Sequence, residues 1–203
     1  MKSSHVQRHP IASNKLLAAL VAFSGSAALI VPMAHAQATW TGAADQDWNN
    51  VANWSTSPSN PTGAFTVNLA TGNYPILSAN SAFSPNNILL GDGASQTGRF
   101  DHRAGSLSQA VVGASGNWFQ VGTNGGTGTY NLADTSGIGG TLTGFAQGTG
   151  SLTVGKLWVG GVSGGAAGTG TVNINTSGTI NAQSTATFSN HGGVSIIVGT
   201  SGG

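Results

Sequence analysis

The chain has 203 residues, including 33 Gly, 6 Pro and no Cys, and only 5% are Asp, Glu, Lys or Arg, against about 25% charged residues in an ordinary soluble domain. Six basic residues in all and a net charge of +1 argue against nucleic-acid binding, because phosphate neutralisation needs clustered Lys and Arg. Highly charged disorder is excluded as well, since apolar residues make up 38% of the chain and can supply a core.

At the N-terminus, Lys2, Arg8 and Lys15 precede an apolar stretch from Leu16 to Val31, and Ala34-His35-Ala36 supplies a small-x-small cleavage signal. This pattern predicts a secretory signal peptide over residues 1–36, cleaved after Ala36. A membrane span wants roughly 18 or more apolar residues, and here Pro32 interrupts. The expectation is an exported chain that touches the membrane only through its cleaved signal. Beyond Ala36 the charges are Arg99, Arg103 and Lys156 against Asp45, Asp47, Asp92, Asp101 and Asp134. Without cysteine, an oxidising compartment contributes no disulfide, so stability must come from backbone pairing and packing.

Residues 37–85 hold Trp40, Trp48 and Trp54 and four prolines, Pro58, Pro61, Pro75 and Pro85; this segment is predicted to form an N-terminal Trp-rich cap. Within it, Asp45-Gln46-Asp47-Trp48-Asn49 places oxygen ligands at the first, third and fifth positions of a calcium loop, but Asn50 stands where Gly is needed and Thr56 where a bidentate Glu is needed. The plainer account is a pair of Asp side chains capping turns, and no metal or other cofactor is expected.

Residues 86–203 contain no proline and consist of Gly, Thr, Ser and Asn between short apolar runs, the pattern of many short strands joined by tight turns. An apolar-x-apolar-Gly phrase recurs as Ile88 to Gly91, Phe119 to Gly122, Leu157 to Gly160 and Ile196 to Gly199. After the first three comes a second phrase, beginning at Gly98, Gly128 and Gly170, and then a third, beginning at Gly105, Gly140 and Gly178. Gly150 to Gly155 is an extra copy of the third. Each phrase reads as a strand of about four residues, with one or two inward apolar side chains, outward Thr or Asn, and a Gly free to take positive φ at a corner. One such strand buries too little to stand alone; stacked on its equivalents it extends a parallel sheet and a narrow core. The predicted fold is therefore all-β, a parallel β-helix or β-solenoid whose last repeat is incomplete. An antiparallel sandwich is the competing architecture. A fourth unit broken off after one phrase would leave an uncapped end, for which end-to-end self-association is expected.

The run Leu152-Thr153-Val154-Gly155, then 168–174, then Ser177 to Ile180, resembles the Gly- and Thr-rich repeats of bacterial autotransporter passengers and of surface proteins carrying PEP-CTERM-associated repeats. Trp40-Thr41-Gly42, Asp45-x-Asp47-Trp48 and Asn53-Trp54-Ser55 are similar to the opening of many such exported proteins. The resemblance covers most of 39–203 and implies a right-handed β-helix at or beyond the outer cell surface, in adhesion, matrix or biofilm roles. Within these 203 residues neither a C-terminal barrel nor a C-terminal sorting segment is expected.

Chemical motifs are few. Arg99, Asp101, His102 and Arg103 form the only dense charge group. Alternation puts Arg99, Asp101 and Arg103 on one face, with Phe100 and His102 on the other. The trio is expected to be a surface ion cluster worth about 0–1 kcal/mol per pair, and His102 an ordinary histidine. A cleft built on the trio would favour a polysaccharide-cleaving β-helix enzyme. Exposed Trp118 or Trp158, Trp158 foremost, would instead favour a carbohydrate-binding module, since flat rings stack on sugars. Gly125 to Thr129 begins like a calcium-binding nonapeptide, but Tyr130 occupies the Asp position and is expected in the core. Gly150 to Lys156 fits the front of a phosphate-binding loop, but Leu157 replaces the Ser or Thr. Gly161 to Gly165 matches a nucleophile elbow, but no Asp or Glu follows Asp134 to complete a triad. The expectation from sequence is a non-enzymatic structural or adhesive protein contacting extracellular glycan or matrix.

Overall fold

A computed structural model describes residues 37–56, 63–110, 117–136, 146–161, 166–183 and 196–198. The signal-like segment 1–36, the phrase at 140–143 and Ser163 of the elbow-like motif lie outside the described residues. The described residues form thirteen strands: β1 (Ala38–Thr39), β2 (Ala64–Val67), β3 (Ile76–Leu77), β4 (Asn87–Asp92), β5 (Thr97–His102), β6 (Ser106–Ser108), β7 (Trp118–Thr123), β8 (Thr127–Ala133), β9 (Ser151–Val154), β10 (Lys156–Val159), β11 (Thr169–Asn175), β12 (Ile180–Ala182) and β13 (Ile196–Val198). Between β1 and β2 lies a 3-10 turn, Val51–Asn53. No helix of the described residues is long and apolar enough to cross a membrane.

The strands form three sheets, in the orders β1-β2-β4-β7-β10-β13, β3-β5-β8-β11 and β6-β9-β12. Every pairing between these strands is parallel, which excludes the antiparallel sandwich. From β4 onward the chain visits the first, second and third sheets in turn, β4-β5-β6, β7-β8-β9 and β10-β11-β12, before β13 rejoins the first.

Register aligns the repeated phrases residue for residue. In the first sheet Ile88 pairs with Phe119, Phe119 with Leu157 and Leu157 with Ile196; in the second, Gly98, Gly128 and Gly170 align, as do Phe100, Tyr130 and Val172. In the third sheet Leu107 pairs with Leu152 and Leu152 with Ile180. The strand between β6 and β12 is thus the extra copy at 150–155.

Alternation then sorts the side chains. Phe65, Ile88 and Phe119 make one fully buried row and Val67, Leu90 and Val121 the next, facing Phe100, Tyr130, Leu132, Leu107 and Leu152 in one apolar cluster. Each such side chain contributes about 1.5–3 kcal/mol by leaving water. The opposite rows are polar, Thr97, Thr127 and Thr169 in the second sheet and Ser106, Ser151 and Thr179 by the third. Tyr130 lies in the core as expected. Two apolar side chains aligned with the inward rows are nonetheless exposed: Ile174, aligned with buried Leu132, is 56% exposed, and Ile196, aligned with buried Leu157, is 50% exposed.

Residues 37–85 do more than cover the core. Phe65 and Val67 of β2 pair with Ile88 and Leu90, and β3 pairs with the end of β5, so the segment supplies strands to two of the sheets. β2 escapes the repeat pattern because Asn68 stands where the phrase has Gly. That Asn68 accepts the Asp92 amide at 3.0 Å. The three tryptophans close one end of the apolar cluster. Trp54 meets Trp40 and Trp48 edge-on at 5.0 and 4.9 Å, and Trp48 stacks on Phe100 at 4.4 Å. Each indole N–H donates to a partner: Trp40 to the Asn73 carbonyl, Trp48 to the Ser81 hydroxyl and Trp54 to the Trp48 carbonyl.

Candidate functional site

The charged group on β5 is placed by two constraints. Its backbone is pinned to the β3 side, Asp101 donating to the Pro75 carbonyl and Arg103 to that of Leu77; its inward side chains, Phe100 and His102, are fully buried. Asp101 therefore turns away from the apolar cluster, yet it is 0% exposed. Arg99 donates to it from Nε and Nη2 at 2.9 and 2.8 Å, Asn131 from Nδ2 at 2.6 Å and Thr135 from its hydroxyl at 2.6 Å. Asn131 in turn accepts from Asn173 at 2.8 Å, so one polar row runs Asp101, Asn131, Asn173 across three strands. The Arg99 guanidinium lies 4.2 Å from the Tyr74 ring centroid, a cation–π contact. The expectation of a surface ion trio is corrected by these contacts. Asp101 is a buried carboxylate whose two oxygens already accept four hydrogen bonds, because donors from β8 and the following turn close over it.

His102 is buried with a partner for each ring nitrogen. Nδ1 lies 2.9 Å from the Tyr130 hydroxyl and Nε2 3.0 Å from the Gly105 carbonyl. A carbonyl only accepts, so the proton sits on Nε2 and the tyrosine donates to Nδ1. Burial lowers the imidazole pKa from 6.5 to about 4 and raises that of Tyr130 well above its ordinary value. A base whose folded pKa is depressed leaves stability intact above pH 6.5 and removes it as pH falls toward 4, by up to about 3 kcal/mol at about 1.4 kcal/mol per unit. Urea midpoints are expected to drop across that window. His102→Gln, which cannot take up the charge, should flatten the profile; an unchanged slope in that variant would locate the acid sensitivity elsewhere.

The two tryptophans offered as sugar platforms are arranged otherwise than expected. Trp158, in the row of Thr66, Leu89 and Gln120, is 4% exposed rather than displayed. Trp118 is half-buried and meets it edge-on, with centroids 5.6 Å apart at 83°. This pair is packed upon itself and does not space two flat rings along a face. Lys156, the phosphate-loop candidate, is buried at the start of β10, where a phosphate loop would run into a helix, so no helix N-terminus faces a phosphate.

In the Asp45 loop both carboxylate oxygens serve the chain itself. Oδ1 accepts from Asn53 Nδ2 at 2.6 Å and the Asp47 amide at 2.8 Å, and Oδ2 accepts from Asn50 Nδ2 at 2.8 Å. These donors, Asn53 first, hold the Asp45 pKa below the ordinary carboxylate range. The geometry is that of turn-capping Asp. Asp45→Ala is expected to speed hydrogen exchange at the Asp47 amide and the Asn53 turn while the sheets keep their protection; unchanged exchange there would show the loop to be held by other contacts.

One concave feature brings sequence-distant polar groups together. A groove of about 400 Å³ is lined by Gln46, Asp47 and Asn49 from the Trp-rich segment, Ile76, Ser78 and Ala79 around β3, and Arg103 after β5. Of the three trio residues, only Arg103 reaches it; Arg99 is turned onto Asp101 and Tyr74. Arg103 spends Nε on the Thr135 hydroxyl at 2.8 Å. Asn49 is fixed by the Asn80 carbonyl and the Ala82 amide. Sequence reading finds Arg103 and Asp47 but not their juxtaposition, which depends on the parallel pairing of Asp47 with Ile76.

Comparison with protein-family models, curated proteins and solved structures found no match to this chain.

Proposed function

We propose that the chain is an exported β-solenoid, a right-handed parallel β-helix, acting as a non-enzymatic structural or adhesive element at the bacterial cell surface. The observation that supports this most is the residue-for-residue stacking of three repeated phrases in three parallel sheets, with uncharged Thr and Ser rows facing out. Such rows offer a regular polar surface to glycan or matrix without the charge repulsion that would oppose close approach. The signal-like residues 1–36 support export. The acid that a lyase or hydrolase would need is engaged elsewhere, since Asp101 is enclosed by four donors. Exposed Ile174 and Ile196, aligned with buried Leu132 and Leu157, support self-association through apolar surface as part of the same role.

The test is direct. Material recovered from the medium or outer surface of expressing cells is expected to begin at Gln37 by mass analysis, and beads coated with it should adhere to glycan-bearing surfaces more than beads coated with an inert protein. Retention of residues 1–36 in an intracellular product, or adhesion no greater than the control, would overturn the reading.

A further inference from the structure

The groove between the Trp-rich segment and β5 holds unused hydrogen-bonding capacity of both kinds. Among the described residues, Arg103 makes its hydrogen bond through Nε, Asp47 accepts from Asn49 through Oδ1 alone, and Gln46 donates through Nε2 to the Gly72 carbonyl. That leaves the Arg103 Nη groups and the Ser78 hydroxyl as donors, and Asp47 Oδ2 and Gln46 Oε1 as acceptors. Ile76 and Ala79 supply an apolar wall beside them. Among the lining residues only Asp47 and Arg103 are charged, and their formal charges cancel, so the lining itself favours neither an anion nor a cation.

A saccharide ring matches this set: each hydroxyl both donates and accepts, and the ring C–H groups are apolar. A volume of about 400 Å³ falls within the roughly 300–1,000 Å³ of ligand clefts and suits one or two sugar rings. We propose that this groove binds a neutral monosaccharide unit, with Asp47 and Gln46 accepting from its hydroxyls and Arg103 and Ser78 donating to them. The inference rests on the glycan-contact reading above and locates that contact away from Trp118 and Trp158.

The experiment is a heteronuclear NMR titration of the full chain with glucose, galactose, mannose and N-acetylglucosamine, each as free sugar and as methyl glycoside, up to about 50 mM. At least one sugar should give saturable shifts at the amides of Gln46, Asp47, Asn49, Ser78 and Ala79, with Kd in the millimolar range typical of about −4 kcal/mol. Asp47→Ala and Arg103→Gln should each weaken it about tenfold while the amide spectrum outside the groove shows both variants folded. If the methyl glycoside binds as well as the free sugar, a glycan terminus qualifies as the source; if only the free sugar binds, the proposal narrows to soluble saccharide. No saturable shift with any of these sugars, or binding that neither substitution weakens, overturns the proposal. Bead adhesion that persists when groove binding fails would leave the adhesive reading standing, whereas sugar binding without adhesion would remove that reading and keep the groove.

Discussion

Replacing Asp101 with Ala is expected to cost about 3–5 kcal/mol in a urea unfolding titration, the range for removing one partner of a buried charged pair. The carboxylate is fully buried and takes hydrogen bonds from Arg99, Asn131 and Thr135. Its loss strands the Asn131 amide and the Thr135 hydroxyl in a dry place, each costing about 1–3 kcal/mol when unsatisfied. Arg99, with 20% of its side chain exposed, can turn to water and so limits the damage. Asp101→Asn separates the contributions: it keeps the size and one acceptor but lacks the charge, and should fall between parent and Ala. A loss below about 1 kcal/mol for Asp101→Ala would return the group to the status of a surface ion cluster.

The second large effect is expected at a phrase glycine. Gly122 has φ of 68°, and a Cβ at that position would stand 1.9 Å from the Thr169 carbonyl oxygen. Gly91, its counterpart one strand earlier, has φ of 60° and the same 1.9 Å approach, to the Thr127 carbonyl oxygen. Gly122→Ala combines about 1–3 kcal/mol of left-handed strain with about 1–3 kcal/mol of overpacking against backbone that cannot swing aside. The expected result is a loss of about 2–6 kcal/mol, read as a fall in the urea midpoint. Gly72 is the control, with positive φ of 68° but open space for 4 Å around the place a methyl group would take, so Gly72→Ala should show the conformational cost alone. Equal losses at the two positions would mean that the close approach to Thr169 contributes nothing.

These two residues mark where sequence reading stops. The corner glycines, the inward rows and the parallel stacking are legible because each is local and repeated. A strand's alternation fixes which side chains face in, a positive-φ corner selects Gly, and repetition requires neighbours to align for their cores to join. The competing copies of the third phrase cannot be separated in this way. Both 140–143 and 150–155 have the pattern, and only the stacked structure shows that Ser151–Val154 pairs with β6 and β12.

Alternation correctly turns Asp101 away from Phe100 and His102, but the exposure expected of it is wrong, because alternation gives a direction and not a cover. Its donors Asn131 and Thr135 lie 30 and 34 positions away, brought over it by the pairing of β5 with β8. Trp158 repeats the lesson: its outward row is predictable, its 4% exposure is not. The groove depends still more on tertiary structure, since Asp47, Ser78 and Arg103 belong to three separate segments. Sequence by itself determined the repeat strands from residue 86 onward and their inward rows, which follow from short-range sterics and hydrophobic alternation, but not the strands β1, β2 and β3 of the Trp-rich segment. Tertiary structure alone decided which polar groups became buried partners and which were left facing a cleft, because desolvation and hydrogen-bond completion depend on residues that meet only after the chain has stacked upon itself.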